Sequence, residues 1–119
     1  MAENTDIVKK IVEGIQDKKG RHITCIDLTD LHDAPCSHFV ICEGDSNTQI
    51  GAITESIRDR VRDDLQEKPL AVDGLDNCLW VAMDYGQIIV HIFQRELRTF
   101  YDIEHLWADA KITDVPDLL

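Results

Sequence analysis

The chain has 119 residues, 44% hydrophobic and 29% charged, which argues against intrinsic disorder and allows one domain with a real core, expected over residues 1–119. No apolar run reaches the roughly 18 residues that a membrane helix needs, and the first residues lack a signal-peptide core; we therefore expect a cytoplasmic protein with no membrane partner. The net charge of −11 disfavours direct nucleic-acid readout and favours a basic protein as partner. The arginines of 58–62 stand among aspartates, at 59, 63 and 64, so no basic patch is expected.

The cysteines, histidines and aspartates of the chain do not occur at the spacings typical of metal sites or redox motifs. The sequence contains four cysteines, at Cys25, Cys36, Cys42 and Cys78. None is paired as C-x-x-C, so we interpret them as small buried hydrophobic residues with reduced thiols. Asp30, His32 and Asp33 cluster in a turn-rich stretch, where polar residues are usually just solvated. We expect neither a metal nor a cofactor.

The first part of the chain predicts a helix followed by two strands. Apolar residues at helical spacing predict a helix over 6–19, with Thr5 as its cap and a stop at 18–20. The β-branched content of 22–28 indicates a strand. The stretch 38–43 is apolar on both faces, which is typical of a central, covered strand.

A second helix follows the break at 44–47. Ser46 and Gln49 have the spacing of a capping box. The apolar residues of the helix fall on one face, at Ile50, Ile53, Ile57, Val61 and Leu65. The charged residues of its other face are most simply solvated, and the helix should end before 68–69, because proline breaks helices.

The last part of the chain predicts a short strand at 70–72, a β-hairpin over 78–94 with its turn at 85–86, and a helix over 95–110, which its capping residues divide into two pieces. The tail from Lys111 should be loosely attached. The order of elements predicts an α/β fold with a mixed sheet of about five strands flanked by helices.

Strand alternation gives the hairpin two different faces. The predicted turn makes one face aliphatic, pairing Met83 with Ile88, Val81 with Val90 and Leu79 with Ile92. This face should lie against the helices. The other face pairs Trp80 with His91 and Cys78 with Phe93, and ends at Asp84. It is either a partly covered binding face, since tryptophan and tyrosine often anchor interfaces, or plain core beneath the C-terminal helix.

One enzymatic alternative deserves comparison. A strand, the turn Gly44-Asp45-Ser46 and a helix are similar to the phosphate-gripping turn of nucleotidyltransferases. Asp45 intrudes into that turn, and no D-x-D or D-x-E motif stands on a neighbouring strand to hold the two metal ions. A metal-dependent nucleotidyltransferase-like enzyme is the alternative function.

A set of motifs from Ile11 to Ala110 resembles the Iojap family, the ribosomal silencing factors. The motifs are Asp27-Leu28, His38-Phe39-Val40-Ile41-Cys42, Gly44-Asp45-Ser46-Asn47 with Gln49, Asp73-Gly74, Trp80-Val81, Met83-Asp84-Tyr85-Gly86, Val90-His91-Ile92-Phe93, Arg98, Phe100-Tyr101 and Leu106-Trp107. Histidine at 38 and phenylalanine at 100 stand where tyrosine is frequent in the family.

The resemblance implies a fold related to nucleotidyltransferases but without their catalytic acids, and hence a protein that is not an enzyme. It implies binding to the large ribosomal subunit through its protein number fourteen. Occupying that protein would sterically block joining of the small subunit and repress translation. Homodimers are also seen in such families, so the aromatic face of the hairpin is alternatively a self-interface.

The candidate partner-binding residues lie on the hairpin and the helix after it. They are Trp80, Met83, Asp84, Tyr85, His91, Phe93, Glu96, Tyr101 and Glu104. The aromatic members would be apolar anchors, and the acidic members would meet basic side chains of the partner. For Leu106 and Trp107 we expect a structural role, pinning the last helix to the sheet.

Overall fold

A computed structural model describes residues 3–117. The elements in chain order are α1 (Asn4–Asp17), β1 (Arg21–Asp27), β2 (His38–Gly44), α2 (Asn47–Leu65), β3 (Ala71–Asp73), β4 (Trp80–Asp84), β5 (Ile88–Gln94), α3 (Arg95–Tyr101), α4 (Ile103–Leu106) and β6 (Lys111–Val115). The strands form one sheet in the order β3-β4-β5-β2-β1-β6. Only the β2–β5 pair among these strands is parallel. The predicted mixed α/β fold is confirmed, with six strands in place of about five.

The additional strand is β6, so the prediction of a loosely attached tail from Lys111 was wrong. β6 pairs antiparallel with β1, from Ile23 opposite Val115 to Asp27 opposite Lys111. The Thr24 hydroxyl also donates to the Asp114 carboxylate across 3.0 Å. β6 is mostly exposed, so it carries little of the apolar alternation by which strands are recognised in a sequence. Backbone pairing with an otherwise open sheet edge holds it instead.

The larger core lies between the sheet and the two long helices. Ile11 and Ile15 of α1 and Ile57 of α2 are fully buried against Val81 and Val90 of the hairpin. The prediction that the aliphatic face of the hairpin packs against helices is therefore confirmed within the two strands, whereas Leu79, which precedes β4, is 39% exposed. β2 is buried along almost its whole length in the middle of the sheet, as its apolar sequence predicted.

The two long helices approach each other closely at Gly14. A Cβ atom at this position would lie 2.9 Å from the Ile57 Cα, which no real side chain tolerates without movement of the backbone. The Ser56 hydroxyl donates to the Gly14 carbonyl oxygen across 2.7 Å at the same crossing. Glycine is therefore required for the contact between α1 and α2.

The hairpin turn lies one residue later than predicted. The Tyr85 N–H donates to the Ile88 carbonyl oxygen at 2.8 Å, so Gly86 and Gln87 are the central residues. Gly86 has φ +92°, a left-handed conformation that favours glycine. The pairing shifts by two residues, and Trp80 lies opposite Phe93. Because side chains alternate with a period of two, this shift leaves the strand residues on their predicted faces.

The helix ends follow the predictions in part. The Gln49 N–H donates to the Ser46 hydroxyl at 3.1 Å, which confirms the cap of α2. Thr5 is not a cap, since α1 starts at Asn4, two residues earlier than predicted, and its N-cap Glu3 makes no side-chain bond. The C-terminal helix is in two pieces as predicted, separated by Asp102 in a left-handed conformation with φ +50°.

Candidate functional site

Trp80 is the centre of an aromatic cluster on the second face of the hairpin. Its ring stacks on Phe93 with centroids 4.9 Å apart and lies 4.7 Å from the Tyr101 ring. The indole N–H donates to Nδ1 of His91 at 3.1 Å. Strand alternation thus brought together Trp80, His91 and Phe93 correctly, and α3 adds Tyr101 to them.

His91 is held as a neutral side chain inside this cluster. Its ring is buried against Phe39, with centroids 5.1 Å apart. Burial lowers the pKa of His91 to about 4, because the protonated form would lose its hydration. Nδ1 accepts the Trp80 N–H, so the proton of the neutral ring is on Nε2. His91 therefore supports Trp80 from within and is not a surface contact.

The second face is covered at its centre, as the core interpretation predicted, and open at its rim. Ile103 and Trp107, together with Leu97, pack against the sheet around Phe39. Trp107 lies 6.1 Å from Phe39 in an edge-to-face arrangement, the structural role predicted for it. Phe93, at 1% exposure, is core.

The open rim consists of Trp80, Phe100 and Tyr101, which we call the aromatic surface. Phe100 is 78% exposed and Tyr101 45%, and their rings lie 5.2 Å apart. Trp80 is half-buried beside Tyr101. Leu106 on the adjoining helix is 74% exposed, so the prediction that it pins this helix to the sheet was wrong.

Phe100 was missed as a candidate contact, although the sequence holds a signal for it. Consecutive side chains of an α-helix diverge by roughly 100° around the axis. Phe100 and Tyr101 follow each other in α3, so they cannot both face the sheet. A pair of adjacent aromatic residues in a short helix therefore indicates that at least one of them is exposed.

The remaining candidate residues differ widely in accessibility. Met83 is fully buried beneath the long helices and has no surface to offer a partner. Tyr85 packs against that same core, away from Trp80, and burial raises its pKa to about 12. The Asp84 carboxylate accepts the Gly86 N–H at 2.7 Å within the turn. Glu104 binds Arg98, and Glu96 is exposed. Glu96 is thus the most available of the three acids.

Arg98 fixes the position of the helix that carries the aromatic surface. Its guanidinium is buried and donates to Glu43 at 3.2 Å, to the Thr24 hydroxyl at 2.9 Å, to Glu104 at 3.3 Å and to the His22 carbonyl oxygen. These bonds connect α3 with β1, β2 and α4. Because every nitrogen of the buried guanidinium donates a hydrogen bond, α3 is held in one orientation on the sheet. Sequence reasoning did not find this role, since its partners are distant in the chain.

The polar groups of Asp45, in the turn before α2, are already bonded to other residues of the protein. The Asp45 N–H donates to Gln49 at 2.7 Å, and the Asp45 carboxylate accepts from Arg95 at 3.2 Å. Among residues 3–117, no three histidine, cysteine or acidic side chains are grouped so that they could hold a metal ion.

The four cysteines are free thiols, of which Cys36 and Cys42 are buried as predicted and the other two half-buried. Over the same described range, no helix is both long and apolar enough to cross a bilayer.

Comparison with known proteins identifies the family. A family described as ribosomal silencing factor during starvation matches residues 1–119. The chain belongs to the ribosomal silencing factor family. It is 32% identical over 110 residues to the ribosomal silencing factor of Bacillus subtilis strain 168, which covers 92% of this chain and 91% of that protein. The chloroplastic Iojap protein of Zea mays is 33% identical over 78 residues, covering 66% of this chain and 33% of its own.

A solved structure agrees with this placement. A crystal structure of a protein from Chromobacterium violaceum superposes with a TM-score of 0.84 at 29% identity, covering 90% of this chain and 88% of that one. The resemblance to the Iojap family is thus confirmed. Ribosomal silencing factors are not enzymes, so the prediction of a non-enzymatic protein holds and the nucleotidyltransferase alternative is not supported.

Proposed function

We propose that this ribosomal silencing factor represses translation in the cytoplasm by binding protein number fourteen of the large ribosomal subunit. Bound there, it would sterically block joining of the small subunit. Family membership supports action on the ribosome. The observation that carries the docking site is the exposed pair Phe100 and Tyr101 beside Trp80.

The chemistry of the aromatic surface suits a protein partner. Large aromatic side chains contribute most to protein interfaces when a partner covers them. Phe100 leaves more than three quarters of its side chain in water in the free protein, and a partner would remove that apolar area from solvent. Glu96 is exposed on the same helix, where it can meet a basic side chain of a ribosomal protein.

The Arg98 bonds support this use of the surface because they orient α3 before binding. A surface that is already rigid loses little conformational entropy when a partner docks on it. Blocking subunit joining needs no catalysis. It needs an interface of ordinary size, roughly 800 Å² on each partner, at a place where the small subunit must sit.

The test is cosedimentation with purified large subunits, comparing Phe100→Ser with a matched control. We expect Phe100→Ser to weaken binding about tenfold or more, as loss of an aromatic anchor does. Leu70→Ser is the control, because Leu70 is 75% exposed but lies outside the aromatic surface. Both changes replace an exposed apolar side chain, so neither should unfold the protein.

Subunit joining is measured in parallel by light scattering after small subunits are added. Wild type and Leu70→Ser should suppress joining, and Phe100→Ser should suppress it much less. If Phe100→Ser binds and blocks like wild type, the aromatic surface is not the docking site. If wild type binds large subunits and joining proceeds, the blocking mechanism is wrong. Crosslinking to protein number fourteen tests the identity of the partner.

Self-association through the aromatic surface is a competing use of the same residues. A homodimer that buries Phe100 and Tyr101 would hide them from the ribosome. Sedimentation equilibrium of wild type and Phe100→Ser over a range of concentrations separates the two uses. A dimer that dissociates in the variant would identify the aromatic surface as a self-interface.

A further inference from the structure

A second open surface lies at the opposite edge of the sheet from β6. It is a groove of about 570 Å³ between α2 and β3. Its lining includes the basic residues Arg58, Arg62 and Lys68 and the apolar residues Leu70 and Leu75. None of these residues belongs to the aromatic surface.

The groove is basic in a protein whose net charge is −11. Arg58 and Arg62 are one helical turn apart on α2, and Lys68 follows the helix, while the lining contains no acidic residue. The charges over 58–62 predicted no basic patch; in the helix, Arg58 and Arg62 line the same groove, although each is paired with acidic neighbours. In the helix, Arg60 turns away towards α1, where it pairs with Glu13.

The acidic neighbours of the two arginines leave both guanidinium groups accessible to a partner. Arg58 pairs with Glu55 at 3.2 Å, and Arg62 pairs with Asp59 at 3.3 Å and with Asp63 at 3.0 Å. All these pairs are substantially exposed, and pairs of this kind contribute little to stability. A carboxylate of a partner can therefore displace these acidic neighbours from the arginines, or bind beside them, at a small cost in free energy.

The floor of the groove is apolar and ends in an open sheet edge. Leu70 is 75% exposed and Leu75 is 42% exposed. β3 is the terminal strand, and within residues 3–117 no strand pairs with its outer side. An extended peptide can add to such an edge through backbone hydrogen bonds while its side chains enter neighbouring pockets.

We propose that this groove binds an extended acidic peptide segment of a partner protein, in which carboxylates alternate with aliphatic residues. The carboxylates would meet Arg58, Arg62 and Lys68, and the aliphatic side chains would cover Leu70 and Leu75. RNA is the less suitable ligand, because the lining contains no aromatic ring for base stacking. The site is additional to the ribosome-docking surface and does not depend on it.

The experiment measures fluorescence anisotropy of a short labelled peptide in which glutamate alternates with leucine. We expect saturable binding that Lys68→Glu weakens about tenfold through charge repulsion. Lys9→Glu makes the same charge change at an exposed position outside the groove, and should bind like wild type. Phe100→Ser should also bind the peptide like wild type, so failure of the docking proposal would leave this one standing.

Two further probes decide the class of ligand and the location. A lysine–leucine peptide should not bind, and an oligouridine should not compete. Amide hydrogen exchange should slow over residues 70–75 when the acidic peptide is bound. Absence of peptide binding, equal binding by Lys68→Glu and Lys9→Glu, or unchanged exchange at 70–75 would each overturn the proposal. Stronger binding of the oligouridine than of the peptide would assign the groove to RNA instead.

Discussion

His91 links the stability of the protein to pH through its burial. The pKa of His91 is about 4 in the folded protein and 6.5 in its ordinary state. Between these values the unfolded chain binds more protons than the folded one, so stability should fall as pH drops from about 6.5 to about 4. A shift of this size corresponds to about 3 kcal/mol, since one pKa unit is worth about 1.4 kcal/mol.

The measurement is urea unfolding across that pH range for wild type and His91→Gln. The variant keeps an acceptor for the Trp80 N–H but cannot titrate, so it should lose less stability than wild type as the pH falls. Trp80→Phe should keep the wild-type pH dependence, because burial and not the indole bond causes the shift. Parallel pH profiles of wild type and His91→Gln would show that His91 is not the titrating group.

Gly14 shows how one residue sets the distance between two elements. Gly14→Ala places a methyl group against the Ile57 backbone, and we expect a loss of about 1–3 kcal/mol in the free energy of unfolding, typical of overpacking. Gly51→Ala in α2 is the matched control. Its new methyl group would meet only the Cys78 Sγ, at 3.7 Å, so the higher helix propensity of alanine should stabilise the protein by up to about 1 kcal/mol.

Both variants are measured by denaturant unfolding, with far-UV circular dichroism to verify the fold. Opposite signs for the two glycines would confirm that the helix crossing, and not glycine content, is what matters. Stabilisation by Gly14→Ala would show that α1 can move away from α2 without loss.

The elements that could be predicted from sequence are those specified by residues close together in the chain. α2 has a serine cap, an apolar stripe and a breaking proline, all within about one helix length. Within β4 and β5, the two faces of the hairpin followed from alternation alone, so even a turn displaced by one residue left them intact.

The features that escaped prediction depend on partners far away in the sequence. β6 is a strand because it pairs with the edge of β1. Arg98 is buried because its guanidinium bonds Glu43 and Thr24 beneath α3. The exposure of Phe100 depends on how that helix is rotated over the sheet. No local pattern encodes these distances, so the rim of the candidate site was harder to predict than its core.

At the scale of the whole molecule, the net charge of −11 should govern how fast the protein reaches a basic partner. We expect the association rate with large subunits, followed by stopped-flow fluorescence, to fall steeply as sodium chloride is raised, while the dissociation rate changes little. Lys9→Glu, which makes the chain more acidic away from both proposed sites, should raise the association rate slightly. A rate that increases with salt would mean that phosphate repulsion, not attraction to a basic protein, dominates the encounter.

The pairing of β6 with β1 has a consequence for the order of folding. The Thr24–Asp114 bond joins residues 90 positions apart, so closing this edge requires a long loop and follows the formation of local structure. During synthesis, β1 emerges soon after the first helix, but its partner β6 is the last strand to be made. Its outer edge is then an open template for pairing with other chains. Nascent or truncated molecules that lack residues 111–115 should therefore aggregate more readily than the full-length protein.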